Sequence, residues 1–159
     1  MSNWSDADVR FMTLALELAQ QAATENEVPV GAVLVQNDEV LGTGRNRPIA
    51  LRDATAHAEM EAIRGGCRSV KNYRLTGSTL YVSLEPCLMC AGAIVNARVS
   101  RLVFAARDLR FGAIRSRFRV ADSDLMNHRA KVEEGLLAAD AGALLQAFFA
   151  QRRSMKSGR

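Results

Sequence analysis

An abrupt change of residue pattern at Pro86 constrains the fold of this chain most strongly. The stretch "STLYVSLEP" before it is rich in β-branched and aromatic residues, which is typical of a strand. The stretch "CLMCAGAIVNA" after it has the composition of a helix, and proline is well tolerated where a helix begins. The chain is therefore predicted to pass from a strand directly into a helix whose first turn carries two cysteines.

Helices and strands also alternate through the rest of the chain. "SDAD" (residues 5–8) predicts the cap of an amphipathic helix that ends near Thr24. "VPVGAVLVQNDEVLGTGRN" predicts two strands joined by a turn at residues 37–38, with the first strand buried on both faces. The motif "TAHAEMEA" lies on a helix predicted to end at residues 65–66, where two glycines stand.

The last third of the chain predicts two further strands and a closing helix. "RLVFAA" and "AKVEEG" are the strands, separated by a loop rich in arginine. An apolar stripe marks the helix: Leu137, Ala141, Leu144, Leu145 and Phe148. Phe148 fits this stripe, which leaves Phe149 for the surface. The pattern predicts the α/β class, as a sandwich of helices around a mixed sheet.

A chain of 159 residues, 48% of them hydrophobic and 24% charged, predicts one globular domain over residues 1–159, with 151–159 as a basic C-terminal tail. Asp6 and Asp8 precede the first apolar run, so we expect no signal peptide. The most apolar late stretch is too short for a membrane span and contains Asp140. We therefore expect a cytoplasmic protein without a membrane partner.

The cysteines and one histidine indicate a metal site. Cys87 and Cys90 stand one helical turn apart at a helix start, where the helix dipole favours thiolates. His57, also at the start of a helix, supplies a third ligand and leaves a fourth position open, as in catalytic zinc sites. A closed structural site would need another ligand, and the remaining candidates, Cys67 and His128, lie in no paired motif.

An open zinc site lowers the pKa of its bound water to about 7, and the resulting hydroxide needs a proton shuttle that does not bind the metal. Glu59, two residues after His57, suits that role, whereas Glu61 is expected to be a bystander that pairs with Arg64. Hydrolytic deamination requires such a hydroxide as nucleophile and such a carboxylate for proton transfer.

Positive charge is concentrated after the fourth predicted strand. The net charge is +4, and seven arginines occur between residues 98 and 119 with Asp108 as the only acid. Such a cluster either follows the phosphates of a nucleic acid or forms a solvated, ion-paired face; for the group from Arg107 to Arg119 we favour phosphate contact.

His57-Ala58-Glu59 and Pro86-Cys87-Leu88-Met89-Cys90 together match the zinc deaminase signature H-x-E and P-C-x-x-C. The wider set "EVPVGAVLV", "GRNRP", "DATAHAEM", "NYRLTGSTLYVSLEPCLMCAGAIV", "RLVFAARD" and "MNHR" resembles the bacterial tRNA-specific adenosine deaminases along nearly the whole chain.

The resemblance implies a three-layer α/β/α, cytidine deaminase-like fold with a five-stranded mixed sheet, one Zn²⁺ per subunit and a homodimer. It implies conversion of adenosine to inosine at the wobble position (34) of a tRNA anticodon stem-loop. His57, Cys87 and Cys90 would bind zinc, and Glu59 would shuttle protons. The substrate contacts carried over by position are Asn46, Val30, Ala58, Pro86, Pro48, Asp108, Arg110, Phe149 and Arg152.

One segment departs from the family pattern. After "ARD" the family usually has a lysine, a small residue and "GAAGS", whereas this chain has "LRFGAIRS" with a bulky Phe111. The departure leaves the chemistry intact and changes the surface expected to contact RNA. Two other functions stay open from sequence: a deaminase of free guanine or cytosine, and an inactive zinc-stabilised RNA-binding subunit. The intact Glu59 argues against the second.

Overall fold

The computed structural model describes residues 3–158, which form five helices and five strands. The helices are α1 (Asp6–Thr24), α2 (Pro48–Leu51), α3 (Ala58–Val70), α4 (Leu88–Asn96) and α5 (Ala138–Ser157). The strands are β1 (Gly31–Gln36), β2 (Glu39–Arg45), β3 (Thr79–Leu84), β4 (Arg101–Ala106) and β5 (Lys131–Glu134).

The strands form one mixed sheet in the order β2-β1-β3-β4-β5. β1 pairs with β2 and β3 in antiparallel orientation, whereas β3, β4 and β5 are parallel. The ends of β2, β3 and β4 therefore lie at the same edge of the sheet as the beginning of β1. The predicted five-stranded mixed sheet is confirmed.

Helices cover both faces of the sheet, as the three-layer prediction requires. Ala32 and Leu34 of β1 pack with α3 and α4 in one core, and Val33 and Val35 pack with α1 and α5 in the other. Successive side chains of a strand point to opposite faces, so β1 is apolar throughout because both faces are buried.

Helix α1 begins as its sequence predicts. The Ser5 side chain accepts the Asp8 N–H, and the Asp8 carboxylate accepts the Ser5 N–H, which forms a capping box. Asp8 is buried and also accepts hydrogen bonds from Tyr81 of β3 and Arg101 of β4. This carboxylate therefore links the start of α1 to the middle of the sheet.

Helix α3 is longer than predicted. It continues past Gly65 and Gly66 to Val70 and ends with Lys71 in the left-handed region, at φ 55°. A Cβ on Gly66 would lie 2.1 Å from a methyl carbon of Leu34. The glycines thus allow close packing of helix on sheet, and the prediction that they end the helix is wrong.

Residues 151–157 of the predicted basic tail continue α5 as helix, and Arg159 lies outside the described residues. Phe148 is buried and Phe149 is exposed, which confirms the assignment of their faces. Within residues 3–158, no helix combines the length and apolar character that crossing a bilayer requires.

Candidate active site

The sheet edge at which the ends of β2, β3 and β4 meet carries a cavity of about 430 Å³, within the range of small-ligand pockets. Its wall comes from the segments before β1, after β2, after β3 and after β4, together with the start of α3. The lining residues are Val28, Val30, Asn46, Pro48, His57, Glu59, Leu84, Glu85, Cys87, Asp108 and Phe111.

Three potential metal ligands converge at this cavity. His57 is the N-cap residue of α3 and Cys87 is the N-cap residue of α4, so two helix starts face each other. The Nδ1 atom of His57 lies 3.5 Å from the sulfur of Cys87 and 3.6 Å from that of Cys90. All three ligand atoms lie within 4.8 Å of one another.

These distances fit a tetrahedral zinc ion. Zn–N and Zn–S bonds at their usual lengths and a tetrahedral angle separate the nitrogen and the sulfur by about 3.6 Å. Hydrogen bonds from Cys90 and from His57 lower the pKa of Cys87 to about 4, so its thiolate is available to a metal. His57, Cys87 and Cys90 are thus positioned to hold a zinc ion with one coordination position left for a water or substrate.

Glu59 lies in the first turn of α3, in the same cavity as His57 and Cys87. Its side chain is buried, and this burial raises its pKa to about 7. A carboxyl group with a pKa near neutrality can both accept and release a proton under ordinary conditions. Glu59 is therefore a buried carboxyl group beside two of the potential metal ligands.

Asn46, just after β2, is almost fully buried and fixes the start of α3. Its side-chain oxygen accepts the Ala58 N–H at 2.9 Å, in place of a cap from the side chain of His57. Because its oxygen is occupied by Ala58, the amide nitrogen of Asn46 is the group left to donate to a ligand in the cavity. Asn46 thus connects the end of β2 to the start of α3.

The other expected substrate contacts fall into two groups. Val30, Pro48 and Asp108 line the cavity. Ala58 and Pro86 are buried behind it, Ala58 donating to Asn46 and the carbonyl of Pro86 accepting the Ala113 N–H.

Arg110, Phe149 and Arg152 do not line the cavity. Arg110 is exposed on the loop after β4, with its guanidinium 5.3 Å from the ring centre of Phe111. Phe149 and Arg152 lie on α5, where Arg152 donates to the Asn26 carbonyl and borders a separate cleft between α5 and the end of α1. The structure therefore does not bring these two residues into the catalytic cavity.

Glu61 has a different partner from the one expected. It accepts hydrogen bonds from the guanidinium of Arg47 at 2.8 and 3.1 Å, whereas Arg64 donates to Thr55. The predicted pairing with Arg64 is wrong because the loop after β2 passes close to this face of α3.

Much of the arginine cluster is ion-paired within the chain. Arg101 pairs with Asp8 and Glu133, and Arg107 pairs with Glu134. Arg115 and Arg119 both pair with Asp122. These ion pairs agree with the alternative of an ion-paired face, while phosphate contact by the group from Arg107 to Arg119 stays a prediction.

Glu85 is a site residue that the sequence analysis missed. It stands directly before Pro86, is almost fully buried, and accepts backbone N–H groups of Asp108, Ile114, Arg115 and Ser116. Burial alone would raise its pKa, but the Ser116 hydroxyl and these N–H groups hold the pKa below its usual value. An acid at the end of an apolar strand is the signal that could have revealed it.

Residues 5–106 match the family model described as the cytidine and deoxycytidylate deaminase zinc-binding region. The chain is 50% identical over 153 residues to the tRNA-specific adenosine deaminase of Haemophilus influenzae, covering 96% of this chain and 88% of that protein. It is 40% identical over 146 residues to the tRNA-specific adenosine deaminase of Streptococcus pyogenes serotype M1, covering 92% and 85%.

Solved structures agree with these relatives. One, from a study of A-to-I editing by tRNA:A34 deaminases at the wobble position, matches with a TM-score of 0.83 and 43% identity, covering 86% of this chain and 99% of that chain. A guanine deaminase from Nitrosomonas europaea matches with a TM-score of 0.76 and 26% identity, covering 94% and 87%. The chain belongs to the cytidine and deoxycytidylate deaminase zinc-binding family and, within it, to the tRNA-specific adenosine deaminases.

Proposed function

We propose that the protein hydrolyses adenosine to inosine at the wobble position of a tRNA anticodon. The observation that carries this proposal is the placement of Glu59 in one cavity with His57 and Cys87, which cluster with Cys90 as potential metal ligands. The similarity to tRNA-specific adenosine deaminases over nearly the whole chain supports the choice of substrate.

His57, Cys87 and Cys90 hold the zinc ion in this proposal. The ion, when bound, supplies a Lewis acid that activates the attacking water. Glu59 takes a proton from that water and delivers it to the ring nitrogen next to C6 of adenine. Glu59 then takes the proton of the hydroxyl group added at C6 and transfers it to the amino group, so that the C6 carbonyl forms and the amino group leaves as ammonia.

Asn46 donates its amide N–H groups to the target nucleotide, since its oxygen is held by Ala58. Val30 forms an apolar wall beside the base, Ala58 holds the Asn46 side chain from behind the cavity, and Pro86 places the Cys87 N–H towards the reacting water. Pro48, Asp108 and Arg110 contact the flanking anticodon nucleotides. Phe149 and Arg152 on α5 contact RNA outside the cavity.

The partner that fits this site is an anticodon stem-loop. A base in a single-stranded loop is extruded at low stacking cost, whereas a base inside a duplex is not. We also propose a cytoplasmic location, because tRNA and reduced cysteine ligands occur together there.

A homodimer is proposed as the assembly. Large apolar side chains are exposed on α4 and on the loop after β4, among them Leu88, Phe118 and Leu125. Such side chains commonly become buried when two copies associate. Sedimentation equilibrium checks this assignment, since a monomer at micromolar concentration contradicts it.

The activity is tested with a synthetic anticodon stem-loop that carries adenosine at the wobble position. Zinc-loaded protein is incubated with this RNA, which is then digested to nucleosides, and inosine is measured. The matched control is Glu59→Gln, which keeps the shape of the side chain but cannot accept a proton. We expect at least a 1000-fold lower rate in this variant, with its zinc content unchanged. Wild-type protein that forms no inosine would contradict the proposal.

A deaminase of free guanine is the second candidate, because a guanine deaminase shares this fold at 26% identity. Free guanine and the stem-loop are compared as substrates at equal enzyme concentration. Faster turnover of guanine would reverse the ranking.

A further inference from the structure

An exposed aromatic side chain stands at the rim of the catalytic cavity. Phe111 lines the cavity together with Asp108, yet its side chain is 64% exposed. Neither the core nor a neighbouring helix or strand covers the Phe111 ring. A base held near His57 and Cys87 occupies the interior of the cavity, which leaves the outer part of the Phe111 ring for the next nucleotide.

The backbone that carries this ring is tied to the sheet. The Asp108 carboxylate accepts the N–H groups of Arg110 and Phe111 at 3.0 and 3.1 Å. The Asp108 N–H donates to the buried carboxylate of Glu85 at 3.1 Å. The ring therefore starts from a fixed backbone position, which lowers the entropy lost when a ligand packs on it.

A cation accompanies the ring. The guanidinium of Arg110 lies 5.3 Å from the ring centre, and within residues 3–158 it forms no ion pair with an acidic side chain, in contrast to Arg107 and Arg115. An aromatic ring with a neighbouring free cation is the combination that single-stranded nucleic acid binding sites use, the ring for a base and the cation for the backbone.

Base extrusion creates the need for such a surface. When the target adenosine leaves its stack, the neighbouring base loses a stacking partner on one face. An aromatic ring beside the cavity replaces that partner and stabilises the extruded arrangement.

We propose that Phe111 is a stacking platform for the nucleobase adjacent to the target adenosine, with Arg110 beside it for the phosphate backbone. This inference rests on the proposed function, because it concerns how the same site holds its RNA.

The test compares wild type, Phe111→Ala and Phe111→Tyr on the anticodon stem-loop. Tyr73→Ala is the matched control, because Tyr73 is similarly exposed and also has an arginine beside its ring, Arg74 at 5.5 Å, but does not line the cavity. Each protein is assayed on the intact stem-loop and on two versions that lack the base on the 5′ or the 3′ side of the target.

On the intact RNA we expect kcat/KM to fall about tenfold for Phe111→Ala and to change less than about twofold for Phe111→Tyr and Tyr73→Ala. On the RNA that lacks the stacked base, wild type and Phe111→Ala should become equal to within about twofold. Zinc content and thermal unfolding should not change in Phe111→Ala, since the exposed ring supports no core.

Equal activity of wild type and Phe111→Ala on the intact RNA overturns the platform. A loss that persists on both abasic RNAs also overturns it, because the ring then acts without a base to stack on. Failure of the wild type to deaminate any stem-loop instead refutes the proposed function itself, and the inference falls with it.

Discussion

At the scale of single residues, the three cysteines have different surroundings. The sulfur atoms of Cys87 and Cys90 lie at the start of α4, beside His57. Cys67 is half-buried near the end of α3, and its sulfur lies 3.8 Å from the Tyr73 carbonyl oxygen. Burial raises the pKa of the Cys67 thiol, and within residues 3–158 its sulfur belongs to no cluster of three potential metal ligands.

We therefore expect Cys87→Ala to reduce bound zinc from about one ion per chain to a small fraction of that and to lower the unfolding temperature. Cys67→Ala is the matched control and should keep its zinc. Elemental analysis after dialysis measures the metal. Full zinc content in Cys87→Ala, or an equal loss in Cys67→Ala, would contradict the ligand assignment.

Sequence patterns predicted the residues that short motifs hold together. His57 and Glu59 are two positions apart, and Cys87 and Cys90 are three, so their geometry follows from one helix start each. Glu85 could not be found in this way, because its partners lie 23 to 31 residues further along the chain. Its role depends on where a loop returns to the sheet.

At the scale of elements, the loop after β4 is attached to the site by close backbone contact. A Cβ on Gly112 would lie 2.3 Å from the carboxyl carbon of Glu85 and 2.5 Å from the Asp108 carbonyl oxygen. Both contacts involve groups that are themselves hydrogen-bonded, so neither can move away cheaply.

Gly112→Ala is expected to destabilise the zinc-loaded protein by about 1–3 kcal/mol, because the added methyl overfills this contact. Gly142→Ala is the matched control, since a Cβ there meets no atom within 4 Å and the position lies inside α5. It should stabilise the protein by about 0.5–1 kcal/mol. Urea unfolding measures both, and similar values for the two variants would refute the close contact at Gly112.

Most element positions could be predicted from residue patterns, because hydrophobic periodicity and turn residues act locally. The turn at Asn37 and Asp38 is one case, with both residues at positive φ. The end of α3 could not be predicted, because a glycine can either end a helix or, lacking a side chain, let another element pack closely against the helix. At Gly66 the close approach of Leu34 decides between these uses.

At the scale of the whole molecule, Asp8 connects the helical layer that contains α1 to the sheet. Its carboxylate accepts hydrogen bonds from Arg101 at 2.8 Å and from Tyr81 at 2.7 Å. Burial alone would raise the pKa of Asp8, but these bonds and that of the Ser5 N–H outweigh burial and hold the pKa well below its usual value.

A lowered pKa in the folded state means that the carboxylate stabilises the protein at pH values above the ordinary value of 3.8 and loses this effect as pH falls below it. We expect Asp8→Asn to lower the free energy of unfolding by about 1.5–3 kcal/mol at pH 7. The deficit should shrink below about pH 4, where the wild-type carboxylate becomes protonated in the unfolded chain.

Denaturant unfolding at a series of pH values checks this prediction. Asp6→Asn is the control, because Asp6 is exposed in the same turn and its side chain makes no hydrogen bond within residues 3–158. A deficit in Asp8→Asn that is the same at pH 7 and pH 3 would exclude the charge as its cause.

The arginine pairs show what the sequence could not reveal at this scale. Arg101 is 93 residues from Asp8 and 32 from Glu133, and both acids meet it only because α1 packs on the sheet and β5 pairs with β4. In the sequence, these arginines have few acidic residues near them and therefore look unpaired. Their roles become clear only once the sheet order is known.

Glu85 holds the loop after β4 by main-chain N–H groups at Asp108, Ile114, Arg115 and Ser116. Because these hydrogen bonds involve only the main chain of the loop, they depend little on the side chains between the bonded residues. Residues 109–111 can therefore change over evolution, or be randomised in a library, without altering the path of the loop. The fold thus offers an exchangeable surface at the rim of an unchanging catalytic centre, and new substrate preferences can arise there by substitution alone.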